Sequence, residues 1–83
     1  MILTNRYVSG HKKSEGNCSD GKKSGLWTWW YENGNKMLEK NYKVNKLDGL
    51  SISWYENGQK RSEQNFQNGA KVGPYTKFNS EMF

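Results

Sequence analysis

Eighty-three residues hold one domain, and with 33% apolar and 14% aromatic residues any core must be built from a few large rings. The formal charge of +5 (pI ≈ 9.4, mean hydropathy −1.13) admits acidic partners, while the single cysteine, Cys18, excludes an internal disulfide and a cysteine-built zinc site. The first apolar run, Met1-Ile2-Leu3, is too short for a signal peptide or a membrane span, so a cytoplasmic location is expected, with peripheral membrane association left open.

The chain repeats itself. Trp30-Tyr31-Glu32-Asn33-Gly34-Asn35-Lys36 returns as Trp54-Tyr55-Glu56-Asn57-Gly58-Gln59-Lys60, an offset of 24 residues. Gly25, Gly49 and Gly73 keep the same spacing. Superposition gives a degraded unit at 1–24, full units at 25–48 and 49–72, and a remnant at 73–83, all within a single repeat domain, 1–83. It aligns Tyr7 with Tyr31 and Tyr55, Lys12 with Lys36 and Lys60, Glu15 with Glu39 and Glu63, and Cys18 with Tyr42 and Phe66.

Taken in order, the units read as β-hairpins. Strands are predicted near 2–8, 12–18, 26–31, 36–42, 50–55, 60–66 and 74–79. Leu50-Ser51-Ile52-Ser53-Trp54 alternates apolar with polar, and Leu26-Trp27-Thr28-Trp29-Trp30-Tyr31 is aromatic-rich and bounded by glycine. The Asn-Gly pairs admit a two-residue or a three-residue loop. The longer loop, Glu32-Asn33-Gly34, pairs Tyr31 with Asn35 and puts Trp30 on one face with Leu38 and Tyr42, and Trp54 with Phe66. It buries more rings and is the expected form, a type I turn with a G1 bulge. Short connections at 20–24, 45–48 and 68–72 make successive strands antiparallel neighbours. The fold class is therefore all-β, an antiparallel meander of repeated β-hairpins with about seven strands.

These residues carry a resemblance. Gly-x-Trp…Trp-Tyr-Glu-Asn-Gly-x-Lys…Glu-x-Asn-Tyr…Asp-Gly is similar to the bacterial variant of the MORN repeat, well over residues 25–79 and poorly over 1–24, where Arg6 replaces the tryptophan and Cys18 the ring. The resemblance implies a single-layer twisted array and a non-enzymatic module for protein–protein interaction. Bacterial proteins that resemble this one are often grouped as antitoxins or immunity proteins of secreted-toxin operons. Other MORN arrays, including those attached to plant phosphatidylinositol-phosphate kinases, are linked to membrane lipids.

One face is expected to be a core stripe: Leu26, Thr28, Trp30, Leu38 and Tyr42, then Leu50, Ile52, Trp54 and Phe66, then Thr76 and Phe78. The other carries Trp27, Trp29 and Tyr31 in one unit, Ser51, Ser53 and Tyr55 in the next, and Tyr75 in the remnant. Rings found in one unit alone are not demanded by the repeat. Trp27, Trp29, Tyr31, Tyr55 and Tyr75 are thus candidate partner-binding residues; cover by residues 1–24 or by a second subunit is the other reading. Lys12, Lys13, Lys22 and Lys23 are candidate anion-binding residues, for anionic lipid or, with Trp27 and Trp29, for single-stranded nucleic acid. Glu15, Glu39 and Glu63 are expected to form cross-strand ion pairs with the recurring lysines rather than to act as acid or base. His11 reads as a turn residue on the surface and Cys18 as a small core filler. With no phosphate-cradling loop, nucleophile–base pair or dinucleotide fingerprint, no enzyme, cofactor or metal is expected. A toxin partner, given the +5 charge, would be acidic or held through the rings. The terminal strands at 2–8 and 74–79 present open edges with large apolar residues, so self-association through them is expected.

Overall fold

In the computed structural model, which describes residues 1–78, Ser9-Gly10, Asn33-Gly34 and Asn57-Gly58 each close a three-residue loop. Tyr31 N–H donates to Asn35 O at 2.8 Å, and Gly34 N–H donates back to Tyr31 O at 3.0 Å. Tyr7 with His11 and Gly10, and Tyr55 with Gln59 and Gly58, make the same pair of bonds. The closing residue needs a positive φ, which glycine supplies: 97° at Gly34 and 96° at Gly58.

These loops and the turns between them connect β1 (Ile2–Arg6), β2 (Lys12–Ser19), β3 (Lys22–Trp30), β4 (Lys36–Lys43), β5 (Lys46–Leu47), β6 (Gly49–Trp54), β7 (Lys60–Gln67) and β8 (Ala70–Lys77). All lie in one antiparallel sheet in the order β1-β2-β3-β4-β6-β7-β8, with the two-residue β5 paired to β4. The sheet is a single layer, 44 × 38 × 10 Å.

The connections are shorter than the sequence suggests. Asp20-Gly21, Val44-Asn45 and Asn68-Gly69 are two-residue turns with positive φ at both positions (53° and 77°, 46° and 68°, 53° and 91°), the type I′ form that matches strand twist. The flanking residues therefore join the strands: β3 begins at Lys22 and not at 26. The last strand is Ala70–Lys77, longer than the expected 74–79; it pairs with β7 as expected and closes a hairpin with it, which was not expected; residue 79 lies outside the described residues.

A second correction concerns the faces. Past each three-residue loop the pairing slips by one residue: Trp30 faces Lys36, but Trp29 faces Leu38, leaving Met37 as an extra residue. Lys13 and Arg61 are the extra residues at Asn5/Arg6 and Ser53/Trp54. One residue turns every following side chain over. Leu38 and Tyr42 thus join Trp29 and Trp27, not Trp30, and Phe66 joins Ser51 and Ser53. The expected core stripe is split between two faces: Leu26 is 50% exposed, Thr76 is exposed, and Thr28 is buried.

The slip also explains the ion pairs. Lys12–Glu15 (3.0 Å), Lys36–Glu39 (2.7 Å) and Lys60–Glu63 (2.7 Å) form within single strands, not across them. In a regular strand residues three apart point to opposite sides; the bulge brings them to one side. The first two of these lysines also reach the next unit, with Lys12 Nζ 5.7 Å from the Trp30 ring and Lys36 Nζ 5.4 Å from the Trp54 ring.

Tyrosines clasp the units together. The hydroxyls of Tyr7, Tyr31 and Tyr55 donate to the backbone oxygens of Trp30, Trp54 and Phe78 at 2.7, 2.8 and 2.9 Å. At the loop ends, His11 Nδ1–H and Asn35 Nδ2 donate to Glu32 O and Glu56 O, each at 2.9 Å. His11 is thus an exposed turn residue held by the neighbouring turn.

Candidate functional site

The face that carries Trp27 and Trp29 is where the repeat lets residues vary. In β3 the three residues Gly25-Leu26-Trp27 span the place of Gly16 on β2, since Thr28 pairs with Glu15 and Ser24 with Asn17. Trp27 lies flat on Gly16: a Cβ there would stand 2.1 Å from the indole. The indole Nε1–H donates to Asn17 O at 2.9 Å, and Trp27 is 5% exposed. Unit 1–24 therefore covers Trp27, and an exposed patch led by this ring is not what the fold presents.

Above the rings sits a lysine. Lys23 Nζ lies 5.3 Å from the Trp27 ring centre, 5.7 Å from Trp29 and 5.1 Å from Tyr42. The two indoles are 6.0 Å apart and tilted by 35°. Lys40 Nζ stands 5.8 Å from the Trp29 ring. Burial pushes the Tyr42 phenol above its ordinary pKa, so it stays neutral.

In the next unit Ser51 and Ser53 take the places of Trp27 and Trp29, and the missing rings leave an open groove of ≈ 190 Å³. Its lining includes the apolar Leu38, Phe66 and Tyr75 together with Lys40 and Lys71. Ser51 Oγ, buried, has no hydrogen-bond partner among the described residues. Gln64, also buried, ties β7 to β8 by donating to Val72 O at 3.1 Å. The opposite face carries an exposed apolar row with the 24-residue spacing, Ile2 (61%), Leu26 (50%) and Leu50 (37%), separated by Asn17 and Asn41.

The candidate partner-binding residues are thus dispersed in role. Tyr31 and Tyr55 are half-buried struts, Trp27 is covered, Trp29 is half-buried, and Tyr75 is exposed at 59%. The candidate anion-binding lysines do not gather. Lys12 is held by Glu15 and Trp30, and Lys13 lies 5.6 Å from the Tyr7 ring. Lys22 and Lys23 sit at the other end of β2, roughly 23 Å away by strand rise. Sequence reasoning missed Leu38, Lys40, Tyr42 and Phe66 on this face. The bulge that puts them there was signalled only by the recurrence of Lys and Glu three residues apart. Cys18, half-buried, pairs with Lys23 on the same face.

Comparison with known families matches the MORN repeat variant twice, at residues 23–43 and 47–68, together just over half of the chain. The chain belongs to this family. MORN repeats are generally interaction modules for proteins or membrane lipids. No curated protein and no solved structure matches the chain.

Proposed function

We propose that this protein is a non-catalytic module that binds another protein in the groove between β4 and β8, and that it serves as the antitoxin or immunity component of a toxin system. The observation that carries the reading is the groove itself. It lies where the repeat has dropped two rings, so it is not required by the fold. Its apolar walls suit an apolar side chain, the unpartnered Ser51 Oγ offers a hydrogen bond, and Lys40 and Lys71 suit flanking carboxylates. The partner is an acidic protein with an apolar protrusion, consistent with the +5 charge. Co-expression with the product of the neighbouring gene tests it. A complex that survives purification and relief of toxicity is the expected result; no complex and unrelieved toxicity would end this reading.

The exposed row of Ile2, Leu26 and Leu50 favours a second reading, peripheral binding of anionic membrane lipid by the opposite face. A flat apolar row on a basic slab suits a membrane surface. Sedimentation with anionic liposomes at low salt checks it, and absence of binding there, where charge attraction is strongest, rules it out.

A further inference from the structure

Trp27, Trp29 and Tyr42 form a three-walled aromatic cage around one point, now held by the chain's own Lys23 ammonium at 5.1 to 5.7 Å from each ring centre. We infer that this cage is a binding site for phosphocholine, with the quaternary ammonium among the rings and Lys23 as a displaceable internal occupant. The site adjoins the proposed protein-binding groove and shares Lys40 with it, but does not depend on that reading.

Four observations support the assignment. A cation within about 6 Å of a ring face is attracted by the ring quadrupole, and a quaternary ammonium, weakly hydrated, gains most from several faces at once. One wall is set in advance, because Trp27 is pressed onto Gly16 and its Nε1–H is bonded to Asn17 O at 2.9 Å. The cage is absent from the next unit, where Ser51 and Ser53 stand in place of the two indoles and only Phe66 keeps a ring, at the place of Tyr42, so the fold does not require it. The occupant changes with the walls: where the two indoles are missing, the position of Lys23 is taken by Leu47.

Charge selects the ligand. A bare cation entering the cage meets Lys23 as it leaves and Lys40 5.8 Å from the Trp29 ring. A zwitterion supplies its own counter-charge, and its phosphate pairs with those two ammonium groups at the rim. Phosphocholine fits both halves; a trimethylated lysine side chain fits only the first.

The test is titration of the full-length protein with phosphocholine, following the indole N–H signals of the four tryptophans by NMR. The signals of Trp27 and Trp29 shift and those of Trp30 and Trp54 do not, saturating at a concentration on the order of a millimolar. Trp29→Ala weakens binding by roughly tenfold or more, and Tyr42→Leu gives the same readout should Trp29→Ala fail to fold. Lys23→Gln empties the cage of charge and tightens binding of free choline by about fivefold. Phosphatidylcholine vesicles separate the sources: co-sedimentation assigns a lipid headgroup, and response to free phosphocholine alone assigns a soluble or glycan-linked one. The inference is overturned by absence of a shift in the wild type and Lys23→Gln, by an equal response to inorganic phosphate, or by tighter binding of trimethyl-lysine than of phosphocholine.

Discussion

Gly16 and Trp27 act as one device, because the indole occupies the volume that any side chain at 16 would need. Gly16→Ala forces a Cβ into a ring fixed by its own hydrogen bond, and overpacking of this kind costs about 1–3 kcal/mol. A lowered urea midpoint with an unchanged slope is the expected result. The tyrosine clasps act at the same scale. Tyr31→Phe keeps the ring and removes the donor to Trp54 O, at a cost of about 1 kcal/mol in thermal unfolding. The tyrosines were legible in the sequence as a recurring letter. Their role was not, because the acceptor is a backbone oxygen in the following unit and the alignment shows only side chains.

Hairpin geometry follows from glycine at one loop position and one extra residue past it. Gly34→Ala places a Cβ on a backbone at φ 97° and destabilises by about 1–2 kcal/mol; Gly34→Asn costs less, since asparagine tolerates positive φ. Ordered unfolding midpoints, wild type above Asn above Ala, check this. The lysine–glutamate pair on β2 has a pH signature. Hydrogen bonds from Lys12 and then from Thr4 hold the Glu15 carboxyl below its ordinary pKa. A lowered folded pKa means that the pair's stabilisation is present above the ordinary carboxylate range and lost as pH falls through the lowered value. Lys12→Ala moves the Glu15 carboxyl resonance titration upward by NMR. The three-residue loop itself was legible in the sequence, but the burial that favoured it, Trp30 with Leu38 and Tyr42, is not what forms. The following bulge was not legible: Lys36 and Met37 look like ordinary strand residues, yet Met37 alone exchanges the faces of Leu38 and Tyr42. The type I′ turns were also hidden at Val44-Asn45, where a β-branched residue takes a conformation that glycine and asparagine usually fill.

As a whole the molecule is a slab 10 Å thick in which Trp27 is the one buried large apolar residue among the described residues, so it has little reserve of stability. Its edges, β1 and β8, are exposed along their whole length and carry Ile2, Leu3 and Tyr75. We expect light scattering at micromolar concentration to give a mass above 9.7 kDa; that mass unchanged, with thermal stability insensitive to dilution, would show that bare edges are tolerated. The central claim, that the groove left by the missing rings receives a protein partner, is tested most directly by filling it. Ser51→Trp restores a ring at the position of Trp27, but over Lys40 instead of a glycine, so the indole must stand in the groove. Calorimetric titration of this variant with the neighbouring gene's product should show binding lost while circular dichroism and thermal unfolding stay near wild type. Binding that persists at wild-type affinity with the ring in place would contradict the account.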